Sequence, residues 1–202
     1  MGSSAAQVIP GLTDVTEVAA GLGWHTCALR SDRTVVCWGG NQYGQLGIGT
    51  TAEATTPQAV PGLVEVSSLG VGYQHTCVVV ADRTARCWGR NDVGQLGNGG
   101  PGDSTLPGDV AGLASLVGVH ASGYRHTCVL DADRTVRCWG VNYWGQLGNG
   151  SFVDDVAPQQ VSGLTGVVQM SVGINHACAL TADRAAWCWG FAADGQLGSG
   201  EW

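Results

Sequence analysis

The chain contains no lysine, and its nine basic residues are all arginine. Charged residues make up only 12% of the sequence, against about 25% in ordinary globular proteins. The net charge at pH 7 is -7. A chain this acidic lacks the excess of positive charge that attracts nucleic acid or an anionic membrane surface. We therefore expect neither nucleic acid nor a membrane among its partners.

Long apolar runs and catalytic signatures are also missing. No apolar run approaches the ~18 residues that a membrane-spanning helix needs, and the start MGSSAAQVIPG lacks the charged and apolar regions of a signal peptide. We expect residues 1–6 to be a tag or a disordered start. The sequence has no P-loop, nucleophile elbow, HExxH helix or paired-acid motif. It therefore predicts that the chain is not an enzyme and binds no cofactor and no metal.

Glycine, by contrast, is abundant, with 33 of 202 residues. Many of these glycines belong to a repeat whose first copy reads HTCALRSDRTVVCWGGNQYGQLGIG. Its first residue returns at intervals of 50, 51 and 50 residues, at His25, His75, His126 and His176. Internal repetition at such a period is typical of propellers, solenoids and arrays.

Each copy has the composition of β structure. HTCAL and TVVCW are short runs of β-branched, aromatic and apolar residues, and a turn centred on Asp-Arg separates them. Four β segments in about 50 residues, with Gly-rich turns between them, are typical of a propeller blade. We predict an all-β propeller domain over residues 7–200, built of four repeats at about 7–57, 58–107, 108–158 and 159–200.

The pattern HTCAL-x2-DRT-x2-CWGxNxxGQLGxG closely resembles the regulator of chromosome condensation repeat, in its bacterial form. The resemblance covers nearly the whole chain. It implies a β-propeller, usually of seven blades in this family, whereas this chain holds four copies. The family's founding role, nucleotide exchange on a nuclear GTPase, fits poorly with an acidic protein whose cysteines are paired.

The eight cysteines form four pairs, each ten residues apart: Cys27 and Cys37, Cys77 and Cys87, Cys128 and Cys138, and Cys178 and Cys188. A three-residue hairpin loop centred on the intervening Asp places the two cysteines of a pair opposite each other, with the next residue, an Arg, in the left-handed conformation. We expect four disulfides within blades, each stabilising by roughly 2–3 kcal/mol at most. The alternatives are reduced, buried thiols or a metal site that includes His25, although Cys-x9-Cys is not a zinc spacing. Disulfides would imply an extracellular or periplasmic protein whose signal peptide has been removed.

Two further residue types recur in every copy. The tryptophans of the CWG segments are expected to pack between blades. The alternative is photosensing, because the plant ultraviolet-B receptor is similar in fold and uses clustered tryptophans; its Gly-Trp-Arg-His-Thr motif has a partial match at residues 123–127, with Tyr124 in place of Trp. We expect the four aligned histidines to be buried and to bond to backbone groups of neighbouring strands, and the Gln of each GQLG segment to fix its turn.

The two ends of the chain are complementary, because the initial QVIPGL resembles the segments that come after GQLGxG in the other copies. Such a strand exchange seals a propeller ring, and unsealed end blades expose apolar faces and strand edges. Two chains could meet head-to-tail in an eight-bladed ring, one chain could close as four blades, chains could grow into a filament, or the chain could be a piece of a longer propeller. We favour an intermolecular solution, with a homodimer first.

Function is expected at the positions that vary between copies. Aromatic residues in the turns, and residues that precede the aligned histidines, have the character of a protein-binding surface. The candidate residues are Tyr43, Tyr143, Trp144, Phe152, Trp24 and Arg125. Alternatively, the aromatic side chains pack on the neighbouring blade.

We therefore predict a non-enzymatic, exported binding or structural module that can self-assemble, with another protein or a second copy of itself as its partner. The alternatives are an inhibitor of a secreted enzyme, similar to the propeller-type β-lactamase inhibitors, and an enzyme with a site in the central funnel.

Overall fold

A computed structural model describes residues 4–120 and 123–200 of the chain. These residues contain no helix, and hence none long and apolar enough to cross a membrane. Their strands form four antiparallel sheets in which sequential strands are neighbours. Each sheet is one blade, so the prediction of an all-β propeller with four blades is confirmed. Residues 1–3 of the predicted start lie outside the described residues, and the division of the domain at residues 57, 107 and 158 stays a prediction.

The fifteen strands are distributed evenly except in the last blade. Blade 1 contains β1–β4, at Val15–Ala20, His25–Arg30, Val35–Gly39 and Ala54–Ala59. Blade 2 contains β5–β8, at Ser68–Val71, His75–Val79, Ala85–Gly89 and Ser104–Asp109. Blade 3 contains β9–β12, at Leu116–His120, His126–Asp131, Val136–Gly140 and Asp155–Gln160. Blade 4 contains β13–β15, at Val167–Val172, His176–Thr181 and Ala186–Gly190, so its sheet has three strands among the described residues.

The hairpin in the middle of each blade has the predicted geometry. In blade 1, Cys27 lies directly opposite Cys37, and the turn residue Arg33 adopts a left-handed φ of 65°. The Asp32 side chain stabilises this turn by accepting a hydrogen bond from the Thr34 backbone N–H, at 3.0 Å. The corresponding Arg of the other three blades is also left-handed.

All eight cysteines are joined in the predicted disulfides, and the Cα–Cα distance is 4.1 Å in each. The structure therefore contradicts both alternatives for the cysteines, reduced thiols and metal ligands. The bonded pairs are Cys27 with Cys37, Cys77 with Cys87, Cys128 with Cys138, and Cys178 with Cys188.

The core lies between the blades. Adjacent residues on a strand point to opposite faces of the sheet, so each blade has a Cys face that carries its disulfide and a Trp face that carries its CWG tryptophan. In the first cluster, Cys27 and Cys37 of blade 1 are buried together with Trp88 of blade 2. We call the interface between two neighbouring blades a joint. The next two joints repeat this arrangement with Trp139 and Trp189. The expectation that the CWG tryptophans pack between blades is confirmed for Trp88, Trp139 and Trp189 but not for Trp38, against which no blade packs among the described residues.

A hydrogen-bond network crosses the joint between blades 1 and 2. The Thr76 hydroxyl donates to the Gln45 carbonyl, and the Trp88 indole N–H donates to the same carbonyl, both at 2.9 Å. The Nε2 atom of His25 lies 2.9 Å from the Thr76 Oγ1 atom. Because the hydroxyl hydrogen is already used, Nε2–H of His25 is the donor in this contact. His25 therefore bonds to a side chain of the next blade, and the expectation of a backbone partner was wrong.

Burial has a strong effect on these histidines. It lowers the pKa of His25 to about 4. It also lowers the pKa of His75 to about 3, with smaller effects from the neighbouring His25 and His126, and that of His126 to about 4. All three side chains are at most 2% exposed. They are neutral structural groups at physiological pH.

Candidate protein-binding face

The sheet topology brings the predicted binding residues to one end of the propeller. In a four-stranded antiparallel meander, the loop after the first strand and the loop after the third strand lie at the same end of the sheet. Trp24 lies in the β1–β2 loop and Arg125 in the β9–β10 loop. The four other candidates lie in loops that follow the third strand of a blade: Tyr43, Tyr143, Trp144 and Phe152. We call this end the loop end; the Asp-Arg turns lie at the opposite end.

Trp24 is the most exposed aromatic side chain of the described residues, at 77%. Its φ is 61°, in the left-handed region that an L residue occupies at a cost of about 1 kcal/mol. The Trp24 carbonyl accepts a hydrogen bond from the Gly40 N–H at 2.8 Å, which holds the loop in place. Backbone strain of this kind is concentrated at functional sites, where the surrounding structure maintains it.

Two arginines share one carboxylate at the loop end between blades 2 and 3. Asp92 lies 2.8 Å from Arg90 and 3.2 Å from Arg125, and Arg90 also donates to the Gln74 side chain at 2.7 Å. Burial raises the pKa of Asp92. Hydrogen bonds from Gln95 and Arg90 and the charges of both arginines together lower this pKa by more than burial raises it, so the net shift is downward. The group carries a net charge of +1 on an acidic protein.

Aromatic rings surround this charged group. The Arg90 guanidinium lies 4.7 Å from the centre of the Tyr43 ring, and the Arg125 guanidinium lies 5.3 Å from that of Tyr124. The rings of Tyr73 and Tyr124 lie 4.5 Å apart. Such cation–π and ring contacts hold the long arginine side chains in fixed positions. The result is a preorganised surface with a positive charge and aromatic walls.

A second aromatic group lies on blades 3 and 4. Tyr143 is 66% exposed and Phe152 is 71% exposed. Trp144 packs against Phe191 of blade 4, with ring centres 4.8 Å apart, and still exposes 51% of its surface. The alternative, that the turn aromatics pack on the neighbouring blade, therefore holds for some of them, and their role in protein binding stays a prediction. Tyr43 and Trp144 contact the next blade, whereas Tyr143 and Phe152 are turned to solvent.

The predicted binding residues did not include four residues of this face: Tyr73, Tyr124, Arg90 and Asp92. Of these, Tyr124 was named only in the partial photoreceptor motif. They occupy the loops that varied between copies, and their variation was the available signal. Their contacts with one another and with Arg125 join blades 2 and 3, and the contact between Arg90 and Tyr43 adds blade 1. No spacing within one repeat reveals such contacts.

The aligned histidine and the cysteines of blade 1 do not form a metal centre. Cys27 and Cys37 are bonded to each other, and His25 is bonded to Thr76. Within residues 4–120 and 123–200, no three His, Cys, Asp or Glu side chains are grouped closely enough to hold a metal ion.

Known proteins share this architecture. Human WBSCR16 superimposes with a TM-score of 0.81 at 24% identity, covering 93% of this chain and 50% of that one. Yeast RCC1 (Prp20), solved bound to Kap60, superimposes with a TM-score of 0.82 at 21% identity, covering 96% of this chain and 48% of that one. These likenesses show the fold.

Relatives are also found by sequence. The ultraviolet-B receptor UVR8 of Arabidopsis thaliana is 35% identical over 147 residues, which are 71% of this chain and 33% of the receptor. The probable E3 ubiquitin-protein ligase HERC4 of Homo sapiens is 33% identical over 165 residues, which are 79% of this chain and 16% of the ligase. This chain thus spans a third or less of each of these two relatives.

The repeat itself matches a known family. The sequence profile described as Regulator of chromosome condensation (RCC1) repeat matches residues 15–45, 66–95, 120–146 and 167–196, more than half of the chain. A second profile with this description matches residues 34–79, 87–130 and 135–180. The chain therefore belongs to the regulator of chromosome condensation (RCC1) repeat family, as its repeated motif predicted.

Proposed function

We propose that this chain is a non-enzymatic protein-binding module that holds its partner at the loop end. The observation that carries the proposal is the group of exposed aromatic side chains there, above all Trp24 with its left-handed backbone. Large aromatic side chains supply much of the binding energy of protein interfaces when a partner covers them. Scattered exposed apolar residues are ordinary, but several on one end of a rigid scaffold mark an interaction surface.

The charges of the face indicate the kind of partner. Arg90 and Arg125 together have only Asp92 as an ionic partner in the described part of the chain, so a partner with exposed carboxylates fits them. Similar propellers bind proteins. Yeast RCC1 was solved bound to Kap60. The structure of Prp20p from Saccharomyces cerevisiae, which superimposes with a TM-score of 0.71, is described together with its binding to Gsp1p and histones. Those partners are partners of those proteins. For this chain they support only the proposal that its partner is a protein.

The non-enzymatic part of the proposal rests on the lack of a catalytic motif in the sequence. HERC4 bears the name of a ligase, but the match covers only 16% of it. No observation favours the inhibitor alternative or a funnel enzyme.

Export is the second part of the proposal. Four disulfides in a chain of 202 residues are typical of oxidising compartments. Expression in the bacterial cytoplasm and in the periplasm tests this. We expect disulfide-bonded, folded protein only from the periplasm, and equal folding in both would count against export.

Self-assembly through complementary ends is the third part, with a dimer as the expected form. Among the described residues, blade 4 has no fourth strand next to β15. Residues 7–10, QVIP, resemble residues 58–61, QAVP, which include the end of β4 in blade 1. The start of one chain can therefore supply the strand that β15 of another chain lacks. Light scattering should give a mass near twice 20.7 kDa.

The binding face is tested by affinity capture with matched variants. The loop-end variant carries Trp24→Ala, Tyr143→Ala and Phe152→Ala; the control carries Val64→Ala and Val117→Ala, which are also exposed but lie away from the loop end. We expect a defined protein to be captured by the wild type and the control and not by the loop-end variant. Equal capture by all three, or turnover of a substrate that disappears when a buried histidine is replaced, would overturn the proposal.

A further inference from the structure

We propose that the Cys face of blade 4 is a docking site for the Trp face of blade 1 of a second copy of this chain. The joint formed in this way has the same construction as the joints inside the chain. This inference rests on the proposed self-assembly and assigns the surfaces and atoms that make it.

The Cys face of blade 4 is built like the other three but is open. Leu180 is 37% exposed, whereas its counterpart Leu29 is 6% exposed and Val79 is fully buried. Leu197 of the last GQLG turn is half-buried, and its counterparts in the other turns are at most 2% exposed. A groove of about 240 Å³ runs over this face beside Cys178 and Ala186. This is the surface that a tryptophan-bearing blade covers at each internal joint.

The Trp face of blade 1 is also open, because no blade covers its apolar residues. Val18 is 60% exposed, whereas Leu69, in the same position of blade 2, is 4% exposed. Trp38 is half-buried, whereas Trp88 and Trp139 are fully buried. The described residues provide no acceptor for the Trp38 indole N–H, although the other three CWG tryptophans each donate to a Gln carbonyl of the preceding blade.

The polar groups of the two open faces also match. Blade 4 offers His176 and the Gln196 carbonyl, which correspond to His25 and Gln45 in the joint between blades 1 and 2. Blade 1 offers Thr26 and Trp38, which correspond to Thr76 and Trp88. Every member of the internal network thus has a counterpart on one of the two faces.

The last GQLG turn is already shaped to receive a tryptophan. A Cβ atom on Gly97 would lie 2.6 Å from Nε1 of Trp139, so glycine is needed where the ring approaches. Gly198 has nearly the same φ, 66°, yet a Cβ atom there would have nothing within 4 Å. A second copy would bring Trp38 to this position.

A second copy fits better than an unrelated occupant. The chain covers about half of the solved propeller chains, 50% and 48%, so two copies, with eight blades in all, match the length of one such chain. Each copy has one open face of each kind, and two copies therefore form two identical head-to-tail joints with no open face left. Further blades, of this protein or of another one, are the alternative occupants, and face-blocking variants distinguish them from a second copy.

Light scattering of variants tests the joint. Val18→Asp blocks the Trp face, Leu180→Asp blocks the Cys face, and Val117→Asp, at a site that is 51% exposed in blade 3, is the control. We expect the wild type and the control to be dimers of about twice 20.7 kDa, and each blocked variant to be a monomer. A one-to-one mixture of the two blocked variants should form a heterodimer through one intact joint, which also shows that both are folded.

The outcomes separate the joint from self-assembly in general. A wild type that stays monomeric at all concentrations would refute the proposed self-assembly and this joint with it. A dimer that persists in either blocked variant, or blocked variants that do not associate when mixed, would refute the joint and leave self-assembly standing. Thr26→Ala should weaken a dimer of the proposed kind by about 100-fold, the effect of one buried hydrogen bond lost in each of its two joints. Unchanged affinity in that variant would exclude the assigned network.

Discussion

The Nε2 atom of His75 lies 2.9 Å from the Oγ1 atom of Thr127, across the joint between blades 2 and 3. The Thr127 hydroxyl donates to the Gln95 carbonyl at 3.0 Å, so the histidine is the donor to Oγ1. At the joint between blades 3 and 4 the corresponding residue is Ala177, and neither ring nitrogen of the buried His126 has a hydrogen-bond partner among the described residues. The buried polar groups of this joint therefore have fewer hydrogen-bond partners than those of the other two joints.

Ala177→Thr should raise the free energy of unfolding by about 1 kcal/mol, because it restores a partner to a buried donor. Urea unfolding of the oxidised protein measures the change. Thr127→Ala should lower the same free energy by about 1–2 kcal/mol, and Thr51→Ala, at an exposed loop position, should leave it unchanged. Loss of stability in Ala177→Thr would contradict the assigned network.

The buried histidines predict a loss of stability on mild acidification. Their pKa values, about 4 for His25 and His126 and about 3 for His75, lie below the unfolded value of 6.5. Below pH 6.5 the unfolded chain therefore binds protons that the folded chain does not, so the stability present at neutral pH decreases as the pH falls. At pH 5 the expected loss is about 2 kcal/mol per histidine, as an upper bound.

Urea midpoints measured between pH 8 and pH 5 check this sign. They should be nearly constant above pH 7 and then decrease. Burial raises the pKa of Glu17 and of Asp131, which opposes the trend at the acidic end. A stability that rises from pH 7 to pH 5 would show that the histidines are not buried as neutral groups.

The disulfides predict a strong response to reduction. Removal of one pair by Cys77→Ala and Cys87→Ala should lower the free energy of unfolding by roughly 2–3 kcal/mol, since the ten-residue separation closes a short loop. Thiol titration of the denatured, unreduced protein should find no free cysteine. Eight titratable thiols would mean that the pairs are not oxidised, and the support for export would be lost with them.

Gly97 and Gly198 have nearly the same φ but different surroundings. Substituting each by alanine therefore separates the cost of a steric clash from the cost of backbone strain. Gly97→Ala should destabilise by more than about 2 kcal/mol, because its Cβ atom meets the Trp139 ring. Gly198→Ala in monomeric protein should cost only about 1 kcal/mol, the strain of an L residue at positive φ. Thermal unfolding of both variants provides the comparison, and equal losses would show that contact with the tryptophan is unimportant.

The blades themselves follow from the sequence alone. Within one copy, the turn at Asp32 and Arg33 fixes the hairpin register, and that register puts Cys27 opposite Cys37. These contacts join residues close together in the chain, so a repeated local pattern was enough to predict four blades and four disulfides. The same pattern was enough to identify the family.

The joints and the binding face were decided only by the tertiary structure. His25 contacts Thr76 at a separation of 51 residues, and Trp88 contacts Gln45 at a separation of 43. The group formed by Arg90, Asp92 and Arg125 likewise needs two blades at a fixed angle. The sequence repeat states which residues each blade has, but the angle at which blades pack determines which of them meet. That angle depends on interblade side-chain packing, and no single copy contains it.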